Sequence, residues 1–160
     1  MDFAQLEKEY NPKKNDGQYE PPLAKLPDGE WEMLVKDGFL YETKTGRPAY
    51  KFIMVNQAPG TEYDGWEIHK ITVIDSPTAM SILGGQLMAL GIDSDMWGER
   101  HGRPLKDELQ KLIQTMRGWV ILCRKAQSTG KNGQHYHNLY FHAKVGTVKP
   151  KDSEDADLPF

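Results

Sequence analysis

Residues 30–43, EWEMLVKDGFLYET, alternate apolar and polar side chains, with Trp31, Met33 and Val35 on one parity. A period of two is the signature of a strand with one face buried. KTGRP follows as a turn and AYKFIMVNQ as a second strand, so the two make a hairpin. APGTEYDG reads as a loop and WEIHKITVI as a third strand. The rhythm then turns helical. Met80, Leu83, Leu87 and Leu90 recur at spacings of three and four, behind a cap at Asp75 or Ser76, Pro77 at the first helical position and Gly91 as a stop. DSDMWGERHGRP is a loop, and LKDELQKLIQTM is a second amphipathic helix with Leu105, Leu109, Leu112 and Ile113 on one face. Gly118 opens a fourth strand, WVILCRKAQ, and after the flexible turn STGKNGQ comes a fifth, HYHNLYFHAKV. Residues 1–28 carry neither period. FAQLEKEY suits one or two helical turns, and the Pro- and Gly-rich stretch to Gly29 reads as an extended arm. Residues 147–160 read as a flexible tail.

Three strands, a helical segment and two more strands is the element order of an OB-fold. The expectation is therefore a mainly β, α+β domain over residues 29–146: a five-stranded OB-fold barrel with a helical insertion between strands three and four. Another small α+β arrangement has the same order and stays open as an alternative. The chain of 160 residues is 38% hydrophobic and 27% charged, enough for a modest core with residues left over outside it. No apolar stretch approaches the length of a membrane helix, and no signal-peptide core is present. One cysteine, Cys123, excludes an internal disulfide framework and suits a reducing cytoplasm. Charge sharpens the picture: residues 151–160 hold one Lys and four acids, so this segment carries the whole formal net charge of −3. The remainder is neutral, and its acid-rich first 30 residues leave the strand region leaning basic.

Catalytic signatures are missing: no G-x-S-x-G, no P-loop, no dinucleotide fingerprint and no compelling pair of carboxylates. His135 and His137, on one strand face with His142 nearby, could hold a metal, but no carboxylate or Cys cluster joins them, so the expectation is no metal and no cofactor. Cys123 reads as a small buried apolar residue. What the strands do carry is aromatic rings interleaved with bases. Single-stranded nucleic acid needs both, rings to stack on bases and cations to follow phosphates. The stacking candidates are Tyr50, Trp66, Tyr136 and Tyr140, and the phosphate candidates are Arg47, Lys51, Lys70, Arg124, Lys125 and Lys131. In the fifth strand Leu139 and Phe141 share the inward parity, which turns Tyr136, Asn138 and Tyr140 outward. The tips KTGR and TGKNGQ are flexible and basic, as oligonucleotide-gripping OB loops are.

The last residues, DSEDADLPF, resemble the acidic tip of bacterial single-stranded DNA-binding proteins: acids, an aliphatic residue, then Pro-Phe. Asp155, Asp157, Leu158, Pro159 and Phe160 match that pattern. The body, over about residues 17–145, is similar to phage-encoded single-strand-binding proteins. These share an acidic arm, an LPDGEW-like lead into strand one, a KTGRP-like hairpin, an ALGI-like helix end and an LKDELQ-like second helix. Two departures are a short tail with little Gly- or Gln-rich linker and a helical segment larger than a minimal OB-fold needs. The resemblance implies a non-enzymatic protein that coats and protects single-stranded DNA, largely without sequence preference, during phage replication, recombination or repair in the host cytoplasm. It also implies replication or recombination proteins as partners of the tail, whose Phe160 would plug an apolar pocket rimmed by cations. A homodimer is compatible with it. The rival readings are an OB-like interaction adaptor that binds no DNA, and a metal-dependent nuclease using His135, His137 and His142.

Overall fold

The computed structural model describes residues 3–4, 21–93 and 102–148. Their elements run α1 (Pro22–Lys25), β1 (Gly29–Glu42), β2 (Pro48–Gln57), β3 (Glu67–Val73), α2 (Pro77–Ala89), α3 (Leu105–Thr115), β4 (Trp119–Thr129) and β5 (His135–Thr147). The strands form one antiparallel sheet in the order β3-β2-β1-β4-β5. Its central strand β1 pairs with β4 from Gly29 to Leu34 and with β2 from Glu32 to Glu42.

A register shift between Val35 and Asp37 interrupts the β1–β2 ladder. An extra residue at such a bulge reverses which parity faces inward. Met33 and Val35 are buried before it. After it Gly38 is buried and Leu40 packs on the core, so Phe39 and Tyr41 belong to the outer face. Gly38 is also where α3 crosses β1. A Cβ there would stand 2.6 Å from Ile113 Cγ2 and 3.1 Å from the Phe52 ring.

The core gathers the inner faces of the strands, among them Tyr50, Phe52, Met54, Ile68, Ile121, Cys123, Leu139 and Phe141. Leu83 and Leu87 of α2 and Leu109 and Ile113 of α3 close it. Helix α2 starts as its sequence directs. The Ser76 hydroxyl accepts from the Ala79 amide at 3.1 Å, Pro77 holds the first position, and Gly91 leaves the helix at φ +84. The glycine pair Gly84-Gly85 does not break it, because Leu83 and Leu87 anchor its inner side. In α3 Leu105 and Leu112 are only half-buried, while Glu108 is buried beside Leu109.

A closed OB barrel needs its last edges joined. No β3–β5 ladder forms here, and the sheet is open at that seam. The Lys70 side chain bridges it instead, and helix side chains take up strand amides left unpaired nearby and on β1. Lys70 of β3 donates through Nζ to the Leu139 carbonyl of β5 at 2.6 Å. Gln86 of α2 accepts the Phe141 amide at 3.2 Å, and Gln110 of α3 accepts the Leu40 amide at 2.8 Å where β1 has run past β4. These glutamines satisfy strand amides that a continuing ladder would have used. The end of the expected arm is also more structured than the sequence indicated. Residues 22–25 form α1, and Leu26, 1% exposed, enters the core. The rest of the arm from residue 5 to 20 and the tail from 149 to 160 lie outside the described residues. Among the described residues no helix is long and apolar enough to cross a membrane.

Candidate nucleic-acid interface

Strands β4 and β5 outrun their neighbour. Lys125 pairs with Gly29 at the start of β1, and the pairs from Ala126 with Asn138 to Thr129 with His135 continue beyond it as a two-stranded ribbon. The tip is closed by the Gly130 amide on the Gln134 carbonyl at 2.8 Å and the Gly133 amide on the Gly130 carbonyl at 2.9 Å. Strand alternation then sorts the β5 side chains. Leu139 and Phe141 are buried, and Tyr136 and Tyr140 are 45% and 40% exposed on the other side. Arg124 lies opposite Tyr140 in the ladder and is exposed, as is Lys131 at the tip. Four positions along a strand span about 13 Å, which separates the two rings by more than one nucleotide's width. The Tyr136 ring is held in place. A Cβ on Gly130 would lie 2.7 Å from its Cε2, its hydroxyl donates to Gln134 Oε1 at 3.4 Å, and its neighbour Asn138 donates to Ser128 Oγ at 3.2 Å. One acid tempers the face: Glu30, exposed, lies opposite Arg124 on β1.

Arg124, Tyr136 and Tyr140 thus share one ribbon, with Lys131 at its tip. Three other candidates are not on the surface. Tyr50 is 1% exposed and packs edge-on against Phe52 at 5.4 Å, so no base can stack on it. Lys70 is 6% exposed beneath the seam, between the Tyr50 and Phe141 rings at 5.7 and 5.3 Å. Burial pushes its ammonium down from 10.5 to about 8. Lys125 is 2% exposed and pairs with Asp28 at 3.2 Å. Asp28 sits below the usual carboxylate range because the Gln127 amide donates to it, with Lys125 as the second cause. The parity of β2, β3 and β4 decides all three: each side chain shares the inward face with core residues such as Phe52, Ile68 and Cys123.

The remaining candidates are dispersed. Arg47 is exposed, but its Nε is held by Asp75 at 2.7 Å, a pairing that raises the guanidinium and lowers the carboxyl. Trp66 is half-buried in an edge-to-face relay, 5.0 Å from Tyr63, which stands 5.4 Å from Trp31. Lys51 is half-buried on the outer face of β2, flanked in register by Phe39 and Ile71. With Tyr41, 6.0 Å from Phe39, these form a second outer patch in which Ile71 is 52% exposed. Sequence reasoning missed Phe39 and Ile71. The signal for Phe39 was available in Asp37-Gly38, a turn-type dipeptide inside a strand, where a bulge is expected. Lys144 sits 3.8 Å over the Trp119 ring. His135 Nδ1 contacts Thr129 Oγ1 at 3.2 Å, and among the described residues no three His, Cys, Asp or Glu side chains are grouped to hold a metal. Cys123 is buried, which raises its thiol from 9.0 to about 12. The tail residues Asp155, Asp157, Leu158, Pro159 and Phe160 lie outside the described residues.

No protein-family model matches the chain, and no curated protein matches it significantly.

Proposed function

We propose that the protein binds single-stranded DNA along the outward face of β4 and β5, as a coating protein rather than an enzyme. The observation that carries this reading is the exposed pair Tyr136 and Tyr140, with half-buried Asn138 between them, beside Arg124 on a ribbon tipped by Lys131. Each ring offers a stacking surface worth about 1–3 kcal/mol to any base, so base preference is weak. The cations follow the phosphates. Two features support it. The open antiparallel sheet in the order β3-β2-β1-β4-β5, with helices between β3 and β4, is compatible with an OB-type arrangement. The acidic end resembles that of single-strand-binding proteins, and on this reading it recruits replication or recombination proteins of a phage system in the host cytoplasm.

The test is fluorescence anisotropy of a labelled oligo-dT strand at low salt, with the wild type and with Tyr136→Ala and Tyr140→Ala. Saturable binding that either substitution weakens by roughly 5- to 150-fold is expected. Failure of the wild type to bind at high protein concentration refutes the function. Binding that neither substitution weakens refutes the face.

A further inference from the structure

The outward face of β4 and β5 is built in cross-strand rows. Tyr136 lies opposite Ser128, Asn138 opposite Ala126 and Tyr140 opposite Arg124. Each end row carries a tyrosine, while the middle row carries only half-buried Asn138 and the methyl of Ala126. The face therefore dips between the two rings, and the dip has a set length. Four positions along a strand span about 13 Å. Successive bases of a stacked strand lie about 3.4 Å apart, so a ring, three bases and a second ring make four intervals, about 14 Å in all. Two bases would leave a gap, and four would have to unstack. The floor of the dip carries one oriented polar group. Asn138 donates through Nδ2 to Ser128 Oγ at 3.2 Å. That bond uses one amide hydrogen and fixes the carboxamide, leaving the second hydrogen and Oδ1, which accepts no hydrogen bond among the described residues.

We infer, resting on the strand-binding reading above, that Tyr136 and Tyr140 bracket a window of three stacked bases and that Asn138 hydrogen-bonds the edge of the middle one, whichever base it is. A carboxamide presents a donor and an acceptor side by side. Each base of an unpaired strand offers the complementary pair on its Watson–Crick edge: the exocyclic amine beside a ring nitrogen in adenine and cytosine, and a ring N–H beside a carbonyl in guanine and thymine. An amide can answer all four by turning the base over. A carboxylate, with acceptors alone, could not. Asn138 thus adds a base contact without adding base preference, which suits a protein that coats a strand of any sequence. The rings at the two ends stack on base faces, which every base also has.

The test uses labelled strands of abasic units that carry a window of two, three or four consecutive thymines, so that the phosphates are the same in all. Anisotropy at low salt is read for the full chain, for Asn138→Ala and for Asn138→Asp. The wild type should bind three thymines roughly fivefold or more tighter than two, and a fourth should add no more than about twofold. Exchanging the middle thymine of three for adenine, cytosine or guanine should leave wild-type affinity within about threefold. Asn138→Ala should weaken all four windows alike, by roughly 3- to 10-fold. Asn138→Asp should favour a middle guanine, whose edge carries two adjacent N–H donors, over a middle thymine by about fivefold or more, a preference that a merely structural role for Asn138 would not create. A wild type that fails to bind plain oligo-dT removes the strand-binding reading and the window with it. Binding of oligo-dT with no step between two and three thymines, or Asn138→Asp with an unchanged base preference, overturns the inference alone.

Discussion

Lys70 supplies a test of the packing at the open seam. Its ammonium is buried and donates to a carbonyl, and among the described residues no carboxylate pairs with it. In the unfolded chain it titrates near its ordinary 10.5, and in the folded chain at about 8. Between these values the unfolded chain binds more protons, so stability rises with pH through this window as the buried charge is relieved. From pH 7 to pH 9 the gain is on the order of 1 kcal/mol. Cys123 acts oppositely. Its folded value of about 12 lies above its ordinary 9.0, so stability is lost as the unfolded thiol ionises, a smaller effect that begins only as pH nears 9. The wild type should therefore gain stability on balance over this interval, the Lys70 contribution being the larger. Lys70→Met removes the buried charge and leaves the Leu139 carbonyl without its donor, a loss of about 1–3 kcal/mol that roughly offsets the relief at pH 7. The discriminating quantity is the slope. Urea unfolding at pH 7, 8 and 9 should show the stability difference between wild type and Lys70→Met shifting in favour of the wild type by on the order of 1 kcal/mol. Parallel pH profiles for the two proteins would refute the burial and charge assigned to Lys70.

Gly38→Ala should destabilise the fold by about 1–3 kcal/mol in urea titrations, because its Cβ would press on Ile113 and Phe52, both in the core. An unchanged midpoint would contradict the close docking of α3. Arg124→Ala should weaken oligo-dT binding about evenly across base compositions and make the log–log salt slope shallower by about 0.7, measured by anisotropy at several salt concentrations. Gly130→Ala should displace the Tyr136 ring and weaken strand binding roughly 3- to 10-fold, with little change in Tm; equal affinity would mean that the ring's position is irrelevant. Removing residues 151–160 should tighten strand binding at low salt, since four carboxylates no longer compete with phosphates, and equal affinity would count against that competition.

The alternation along the chain was enough to place the strands and the helices between β3 and β4, because one buried face imposes a period of two and helix docking imposes three and four. It also placed Leu139 and Phe141 inside and Tyr136 and Tyr140 outside. Composition failed where the inward parity carries polar groups. Lys70 and Lys125 read as surface cations, yet one donates to a seam carbonyl and the other pairs with Asp28, contacts far apart in sequence that no local pattern reports. Tyr50 failed for a related reason: Lys51 beside it was an equally good surface residue, and both cannot face out of one strand. The bulge at Val35/Asp37 moved Phe39 to the outer face, and only the Asp-Gly dipeptide hinted at it. Barrel closure was not legible either, since element order fixes the sheet's sequence of neighbours and not whether its edges join.

The central claim is that one strand of DNA lies on the outward face of β4 and β5. Its most direct test is a heteronuclear NMR titration of the labelled protein with oligo-dT at low salt. Progressive shifts centred on Arg124, Lys131, Tyr136, Asn138 and Tyr140, with the exposed face of α2 unmoved, are the predicted result. Saturable binding with shifts confined to another face, or no shifts at all, would contradict it.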